Sequence, residues 1–204
     1  MIEKFIDGME QQYNLCFSLG LKFSMDAIAK IEVHGKDRFR GLIEADNFPF
    51  SYNYHTEGKI SEDRLFTLRC WDELDLRIFS YRSEEGYEYS DGKLVAVDYS
   101  LWKGRRKETK RFTGFKETPS DLLTGLLNFM YSASKGRIEP INFVLQGKVA
   151  RIDLEKRGEI YVPKAQTMKM ENPEIRLDSN GLIESFNADR AFMARKVSIK
   201  ATTS

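Results

Sequence analysis

The densest group of chemically active side chains is a basic run at residues 103–111. Six of these nine residues are basic: Lys103, Arg105, Arg106, Lys107, Lys110 and Arg111. Such a run can bind phosphate groups or anionic lipid headgroups, and the flanking Trp102 and Phe112 suit an interface. The alternative is a solvated hairpin tip whose charges protect a sheet edge. The functional interpretation is therefore peripheral contact with an anionic surface.

The charge of the whole chain argues against nucleic acid as the partner of this run. The sequence has 32 Lys and Arg residues and 31 Asp and Glu residues, which gives a formal net charge of +1. Acidic residues elsewhere thus cancel a global positive field, and no nucleic-acid recognition motif is found. We expect no nucleic-acid partner.

Two histidines and two acidic clusters are the next candidates for chemistry. His34 and His55 could share a metal or acid–base site, but no cluster of cysteines or carboxylates at suitable spacing surrounds them. We expect both on the solvated face of strands. The acidic clusters at 72–75 and 84–85 lack the spacing of a calcium loop, so turn positions are expected for them.

The two cysteines, Cys16 and Cys70, complete the set of reactive side chains. Cys16 occupies the polar phase of an alternating stretch, which predicts an exposed thiol, and a disulfide between the two stays open. Motifs for a nucleophilic serine or a phosphate-binding loop are not found. The sequence predicts no catalytic residue, no cofactor and no metal, with an enzyme built from scattered carboxylates and tyrosines as an alternative.

Strands are the elements that must position most of these residues. All nine odd-numbered residues from Phe17 to Val33 are apolar, and most residues between them are polar. Successive side chains of a strand point to opposite faces, so the pattern predicts one buried and one solvated face. One strand of this length would extend roughly 56 Å, so we expect either a bend near Ser24–Ala27 or a strongly curved strand.

Turn signals divide the rest of the chain into further strands. Asp91-Gly92 and Asn180-Gly181 suit the positive φ values of tight hairpin turns and predict antiparallel neighbours. Other strands are predicted at residues 38–46, 50–56, 65–71, 74–82, 94–102, 141–145, 149–154, 159–162, 167–170, 174–178, 182–187 and 192–201.

One segment has helical periodicity instead. Its apolar residues are Leu122, Leu123, Leu126, Leu127 and Met130. Thr118 is the predicted N-cap, Pro119 the first helical residue, and Asp121 completes a pattern similar to a capping box. Gly136 can end the helix, and Gly125 can allow close approach to a sheet.

These elements predict a mainly β protein with a single curved antiparallel sheet or a flattened β-barrel, and one central α-helix at about residues 119–134. Residues 1–12 are predicted as a polar arm, either a short helix or a loose segment, and residues 13–204 as a single β domain. No run of about 18 apolar residues is present, so we expect no transmembrane segment.

Three parts of the chain resemble an uncharacterised bacterial family, the domain of unknown function 3108, whose members are secreted or envelope-associated β proteins. Residues 13–21 (YNLCFSLGL) resemble its opening strand, residues 118–126 its central helix, and residues 175–183 its final hairpin. The resemblance implies a periplasmic or cell-envelope location if a signal peptide was removed, whereas a native start at Met1 would imply the cytoplasm. It implies no established activity and no catalytic residue.

The leading functional hypothesis is a non-enzymatic β protein that binds a lipid-like or other apolar ligand in a groove of the sheet, as lipoprotein-carrier folds would. The predicted groove residues are Phe17, Leu19, Leu21, Phe23, Met25, Leu123, Leu126, Leu127 and Met130. The alternative is a structural or protein-interaction module with a filled core, acting through an edge strand or the basic run. Packing of Ala27 and Ala29 against the helix favours the alternative, and a cavity there favours the ligand. The oligomeric state stays open.

Overall fold

The computed structural model describes residues 1–18, 22–47, 50–76, 79–103, 105–145, 148–165, 170–188, 190–191 and 196–201. These residues include the helices α1 (Ile2–Ile6) and α2 (Leu122–Ser134). The strands are β1 (Glu10–Ser18), β2 (Lys22–His34), β3 (Arg38–Asn47), β4 (Phe50–Ser61), β5 (Arg64–Leu76), β6 (Phe79–Ser90), β7 (Lys93–Lys103), β8 (Arg106–Thr113), β9 (Ile141–Leu145), β10 (Lys148–Ile152), β11 (Leu154–Arg157), β12 (Ile160–Pro163), β13 (Met170–Glu171), β14 (Glu174–Leu177), β15 (Ile183–Ala188), β16 (Arg190–Ala191) and β17 (Lys196–Ala201).

Thirteen strands form one curved antiparallel sheet, which confirms the first of the two predicted architectures. Strands β1 to β8 follow one another as a meander, and β17, β15, β14, β12 and β11 continue the sheet on the other side of β1. Strands β8 and β11 are its two edges, so the sheet formed by the described residues is open and not a barrel. The pairs β9–β10 and β13–β16 stand outside it.

The alternating stretch Phe17–Val33 is divided between two strands. β1 ends at Ser18, β2 begins at Lys22, and the two pair antiparallel. Because three residues separate the strands, odd-numbered residues pair with odd-numbered residues, and the alternation continues through the reversal without a change of phase. β2 continues as a strand through Ser24–Ala27, so the chain has no break there, and the sheet to which it belongs is curved.

Strands β5 and β6 correct two further predictions. The sequence places a break between residues 71 and 74, whereas β5 runs without interruption through them. The acidic clusters at 72–75 and 84–85 therefore lie inside strands and not in turns.

Both predicted hairpins are confirmed: Asp91-Gly92 joins β6 to β7, and Asn180-Gly181 lies between β14 and β15, which pair. The strands predicted at 167–170 and 192–201 lie partly outside the described residues.

One face of the sheet, called the inner face below, packs against α2 and holds the main core. Ile31, Phe39 and Leu65 on the sheet are nearly fully buried and belong to the same apolar cluster as Leu127 of α2. Gly41 allows this close approach, because a Cβ there would lie 2.9 Å from the side chain of Leu123. The opposite, solvated face is called the outer face.

The first residues of the chain contribute to this core. The predicted short helix is present as α1, but Ile2 and Ile6 are fully buried, so the helix does not form a polar arm. The backbone N–H of Ile2 donates a hydrogen bond of 3.2 Å to Asp63, whose other carboxylate oxygen lies 3.3 Å from Nζ of Lys135. Asp63 therefore ties α1 to the last turn of α2.

The boundaries of α2 agree with the sequence at one end only. Asp121 is the N-cap, so the predicted capping residue Thr118 and first helical residue Pro119 precede the helix. Gly136 follows its end with a φ of 74°, as predicted. Gly125 allows the expected close approach, since a Cβ there would lie 3.3 Å from the carbonyl oxygen of Asn142 in β9.

Candidate functional site

Asp121 joins the beginning of α2 to the inner face of the sheet. Its carboxylate is fully buried and accepts the backbone N–H groups of Leu123 and Thr124 at 2.9 and 3.2 Å. Four side-chain hydroxyls donate to it as well: those of Tyr54, Thr56, Thr67 and Thr124. Six donors saturate a carboxylate, so we assign Asp121 to the positioning of the helix and not to ligand chemistry.

A second buried carboxylate, that of Glu85 in β6, lies beside a thiol and a phenol. The Tyr87 hydroxyl donates to Oε2 of Glu85 at 2.7 Å, and Sγ of Cys70 lies 3.7 Å from the same atom. Burial raises the pKa of the Cys70 thiol, and the nearby Asp121 charge adds to the effect. Since the thiolate is the nucleophilic form, a buried thiol of this kind is unreactive near neutral pH.

The inner face continues past α2 toward the strand ends near residues 47, 76 and 103. The helix begins beside Thr56 and ends beside Asp63, so it runs toward the opposite end of the sheet. Half-buried residues of four strands make up the remaining part, called the lower inner face: Tyr52, Asp72, Leu74, Tyr81, Ser83 and Leu101.

Polar groups of the lower inner face bind one another. Asp72 accepts a hydrogen bond of 2.7 Å from the Tyr81 hydroxyl and another from Ser83. Burial raises the pKa of Tyr52, and the Asp72 charge raises it further. The pKa of Tyr81 is raised mainly by burial and by its hydrogen bond to Asp72. These phenols stay protonated at neutral pH, so they can donate hydrogen bonds but cannot act as general bases.

Sequence reasoning missed this grouping of tyrosines and carboxylates on one face. Tyrosine alternation is the signal that could have shown it, because Tyr52 and Tyr54 lie two residues apart, as do Tyr87 and Tyr89. Residues two apart on a strand share a face. The carboxylate partners come from other strands, and no local pattern connects them.

The predicted groove residues on α2 are packed in the core. Leu123, Leu127 and Met130 are at most 7% exposed, and Leu126 is partly buried against the same cluster. Of the residues predicted to line the groove from the sheet, Met25 is half-buried. Leu19 and Leu21 lie outside the described residues, as do the side chains of Phe17 and Phe23.

The small residues of the alternating stretch differ in burial. Ala27 pairs with Ala45 of β3, and each is 2% exposed, whereas Ala29 is half-buried. The contact of α2 with β3 lies farther along the strand, where Leu123 approaches Gly41. The groove itself stays a prediction.

The basic run forms the end of the β7–β8 hairpin and most of β8, which is exposed over nearly its whole length. Three cations of β8 have partners. Arg111 lies 2.7 Å from Asp98 and also pairs with Glu88, and Arg106 lies 3.8 Å from Glu108. The Nζ of Lys107 lies 4.5 Å from the ring centre of Trp102.

Two other cations of the run have no carboxylate within 4 Å among the described residues. These are Arg105, in the turn, and Lys110, on β8, and both are exposed. The side chain of Lys103 lies outside the described residues. The run therefore combines self-compensated cations with cations that remain available to a partner.

Both tryptophans lie on the outer face, where each contacts the ring or the cationic group of a neighbouring side chain. His55 stacks on Trp71 with ring centres 4.7 Å apart and planes 7° from parallel, and Arg69 lies 5.2 Å from the same indole. An open cleft of about 580 Å³ beside Trp102 is lined mainly by polar side chains. These contacts order the outer face and do not form an apolar pocket.

The histidines and cysteines do not meet. His34 lies exposed at the end of β2, and His55 lies in the middle of β4, where burial and the Arg40 charge lower its pKa. Cys16 is exposed, Cys70 is buried, and both are free thiols. Within the described part of the chain, no group of three His, Cys, Asp or Glu side chains could hold a metal ion.

The comparisons with known proteins leave the family open. No protein-family model matches the chain, and no curated protein matches it. The resemblance to the domain of unknown function 3108 therefore stays a prediction. Among the residues described, no helix has both the length and the apolar character needed to cross a membrane.

Proposed function

We propose that the chain is a non-enzymatic interaction module that binds an anionic partner protein through the hairpin 103–111 and the edge strand β8. The observation that carries the proposal is the pair of exposed cations, Arg105 and Lys110, which have no carboxylate partner in the described structure. Exposed charge at a sheet edge is accessible to a partner, and complementary charge accelerates association.

The packing around α2 supports this proposal. Leu123, Leu127 and Met130, three of the residues predicted to line a ligand groove, are nearly fully buried in the core cluster. The edge strand β8 is held in extended form by its pairing with β7 along all eight of its residues. Preorganisation of this kind reduces the entropy lost on binding.

Binding of labelled polyglutamate, measured by fluorescence anisotropy, tests the proposal. We expect salt-dependent binding, because exposed charges are screened. The variant Arg105→Glu/Arg106→Glu should bind roughly tenfold more weakly, since each exposed charge contributes up to about 1 kcal/mol. The matched variant Lys36→Glu/Lys93→Glu reverses two charges at the opposite end of the sheet and should bind normally. Equal binding by all three proteins would contradict the proposal.

A second candidate function is the binding of an apolar or amphipathic ligand at the lower inner face. It is supported by the half-buried row of Tyr52, Leu74 and Tyr81, which are cross-strand neighbours on three strands. Such a surface offers aromatic contact area together with phenolic hydrogen-bond donors. The ligand chemistry it fits is an acyl chain or similar apolar body with a polar end.

Displacement of a fluorescent fatty-acid probe tests this second candidate. Leu74→Arg places a charge on the lower inner face and should abolish probe binding. Leu42→Arg is the control, because Leu42 is also half-buried but lies on the outer face. The candidate is rejected if the wild-type protein does not bind the probe or if both variants bind as well as the wild type.

The location in the cell is a separate proposal. The resemblance to the domain of unknown function 3108 supports a periplasmic or cell-envelope location. Fractionation of the source cells, with N-terminal sequencing of the native protein, tests it, and recovery in the cytoplasmic fraction would contradict it.

A further inference from the structure

We propose that β8 binds an extended acidic segment of its partner as an additional antiparallel or parallel strand of the sheet. This inference rests on the proposed function and adds to it the conformation and chemistry of the partner. The site is the free edge of β8, and the recognition chemistry is main-chain hydrogen bonding combined with carboxylate contacts to the basic side chains.

The backbone of β8 provides the first part of this recognition. β8 has eight residues, pairs only with β7 in the described sheet, and is exposed over nearly its whole length. In any edge strand, alternate residues direct their N–H and C=O groups away from the sheet. Such an edge can accept one more strand, and peptide recognition by strand addition uses these groups.

The charge of β8 selects the kind of strand that fits. The strand RKETKRFT has four basic residues and one acidic residue. Like charges opposite each other destabilise a sheet, so pairing of β8 with a second copy of itself is disfavoured. An acidic strand instead places carboxylates beside Lys107 on the outer face and Lys110 on the inner face, since these residues lie on opposite sides of β8.

The other edge of the sheet is less suitable. β11 has only four residues, and Arg157 on it already pairs with Glu155 on the same strand at 2.5 Å. Leu154 is buried and begins the strand. A docking strand would therefore gain fewer main-chain bonds and less free positive charge at β11 than at β8.

Two labelled peptides of the same length as β8 test the inference on the full chain. Both alternate glutamate with valine and have capped ends, and the second is N-methylated at consecutive residues along its length. Consecutive N–H groups of a strand point to opposite edges, so methylation removes the main-chain donors of both edges and leaves the charge of the peptide unchanged. We expect the methylated peptide to bind at least about tenfold more weakly. Hydrogen exchange should show slower exchange at β8 amides only with the unmethylated peptide.

Charge variants complete the test. Arg105→Glu/Lys110→Glu changes the two unpaired cations and should weaken binding of the unmethylated peptide by about tenfold. Lys36→Glu/Lys93→Glu is the control and should leave it unchanged. Thermal unfolding of each variant shows whether its fold is intact. The hydrogen-exchange measurement at β8 uses only the wild-type protein, so it tests the inference even if a variant fails to fold.

The outcomes separate this inference from the function on which it rests. Equal binding of both peptides, with polyglutamate binding retained, overturns strand addition but leaves an electrostatic interaction module. Absence of binding to either peptide and to polyglutamate overturns both. Binding to phosphatidylserine vesicles but not to the peptides overturns the inference in favour of a membrane surface, and a dimer formed through β8 overturns it in favour of self-pairing.

Discussion

Asp121 is the residue through which the sheet holds the beginning of α2. Replacement by alanine leaves two helix N–H groups and several buried hydroxyls without their acceptor, so Asp121→Ala should lower the free energy of unfolding by about 3–5 kcal/mol. Urea denaturation followed by circular dichroism measures the change. Asp37→Ala, at an exposed turn, should change stability by no more than about 0.5 kcal/mol. A similar effect of the two substitutions would show that the hydrogen-bond network does not stabilise the fold.

The two thiols should differ sharply in reactivity. Cys16 is exposed, whereas Cys70 is buried and its pKa is raised by burial. An aromatic disulfide reagent should therefore modify one thiol per chain in the native protein and two in urea. Cys16→Ser should remove the fast reaction, and Cys70→Ser should leave it. Fast modification of the Cys16→Ser variant would place Cys70 at the surface.

Buried phenols predict a loss of stability in alkali. Burial is the main cause that raises the pKa of Tyr54 and of Tyr87 above the ordinary value of 10.0. A group with a raised folded-state pKa contributes stability below its unfolded pKa, and this contribution is lost as the pH rises through the folded value. The free energy of unfolding should thus fall above about pH 10. Phenolate absorbance in titrations with and without urea measures this, and identical curves would contradict it.

Single-residue roles could be predicted where they depend on local pattern. Cys16 is exposed as its polar phase in the alternation indicates. Asp121 caps the helix through the nearby N–H groups of Leu123 and Thr124. The hydroxyls of Thr56 and Thr67 that hold its carboxylate on the sheet are more than fifty residues away, and no local pattern predicts that contact. The acidic cluster at 72–75 is typical of a turn, whereas Asp72 lies within β5, where its carboxylate accepts hydrogen bonds from Tyr81 and Ser83 of β6.

At the scale of elements, the bulge at Leu68 of β5 requires a glycine opposite it in β4. Gly58 lies where the β4–β5 register shifts, and a Cβ there would lie 2.2 Å from the carbonyl oxygen of Phe66. Backbone cannot move aside easily, so Gly58→Ala should destabilise the protein by about 2–4 kcal/mol. Gly86→Ala is the control, since nothing lies within 4 Å of its Cβ position. Urea denaturation compares them, and equal stability would exclude the predicted clash.

The boundary between two strands can be predicted from the sequence only where the turn carries a signal of its own or interrupts the alternation of apolar and polar residues. Two residues separate β6 from β7, so the alternation changes phase at the turn, and a bulge at Val95 restores the phase three residues later. Asp91-Gly92 marks this reversal by its turn chemistry. Three residues separate β1 from β2, and the phase continues, so the sequence pattern of Phe17–Val33 predicts one strand where the structure has two. The helix was located because its periodicity is local and distinct from that of its neighbours.

For the whole molecule, the open edges make charge important for solubility. Arg106→Val/Lys110→Val removes two charges from β8 and leaves its edge groups free, so we expect concentration-dependent self-association. Sedimentation velocity measures it. Lys30→Val/Arg40→Val is the matched control, because β2 and β3 have a neighbour on both sides. Self-association of the control alone, or of neither variant, would contradict a protective role for the edge charges.

The order of strands could be predicted only in part. Hairpin turns connect neighbours in sequence, and they account for the meander from β1 to β8. The pairing of β1 with β17, as between Tyr13 and Ala201, closes a loop of nearly the whole chain. No local signal encodes such a contact, because it depends on which apolar faces remain uncovered after the nearby strands have paired.

The position of Trp102 gives the molecule a built-in optical reporter. Trp102 lies one strand from the free edge and contacts Lys107 of β8, whereas Trp71 lies two strands farther in and stacks on His55. A group that displaces Lys107 changes the surroundings of one indole and leaves the other as an internal reference. Intrinsic fluorescence of an unlabelled protein can therefore follow occupation of the edge, and a Trp71→Phe variant would assign the signal to Trp102.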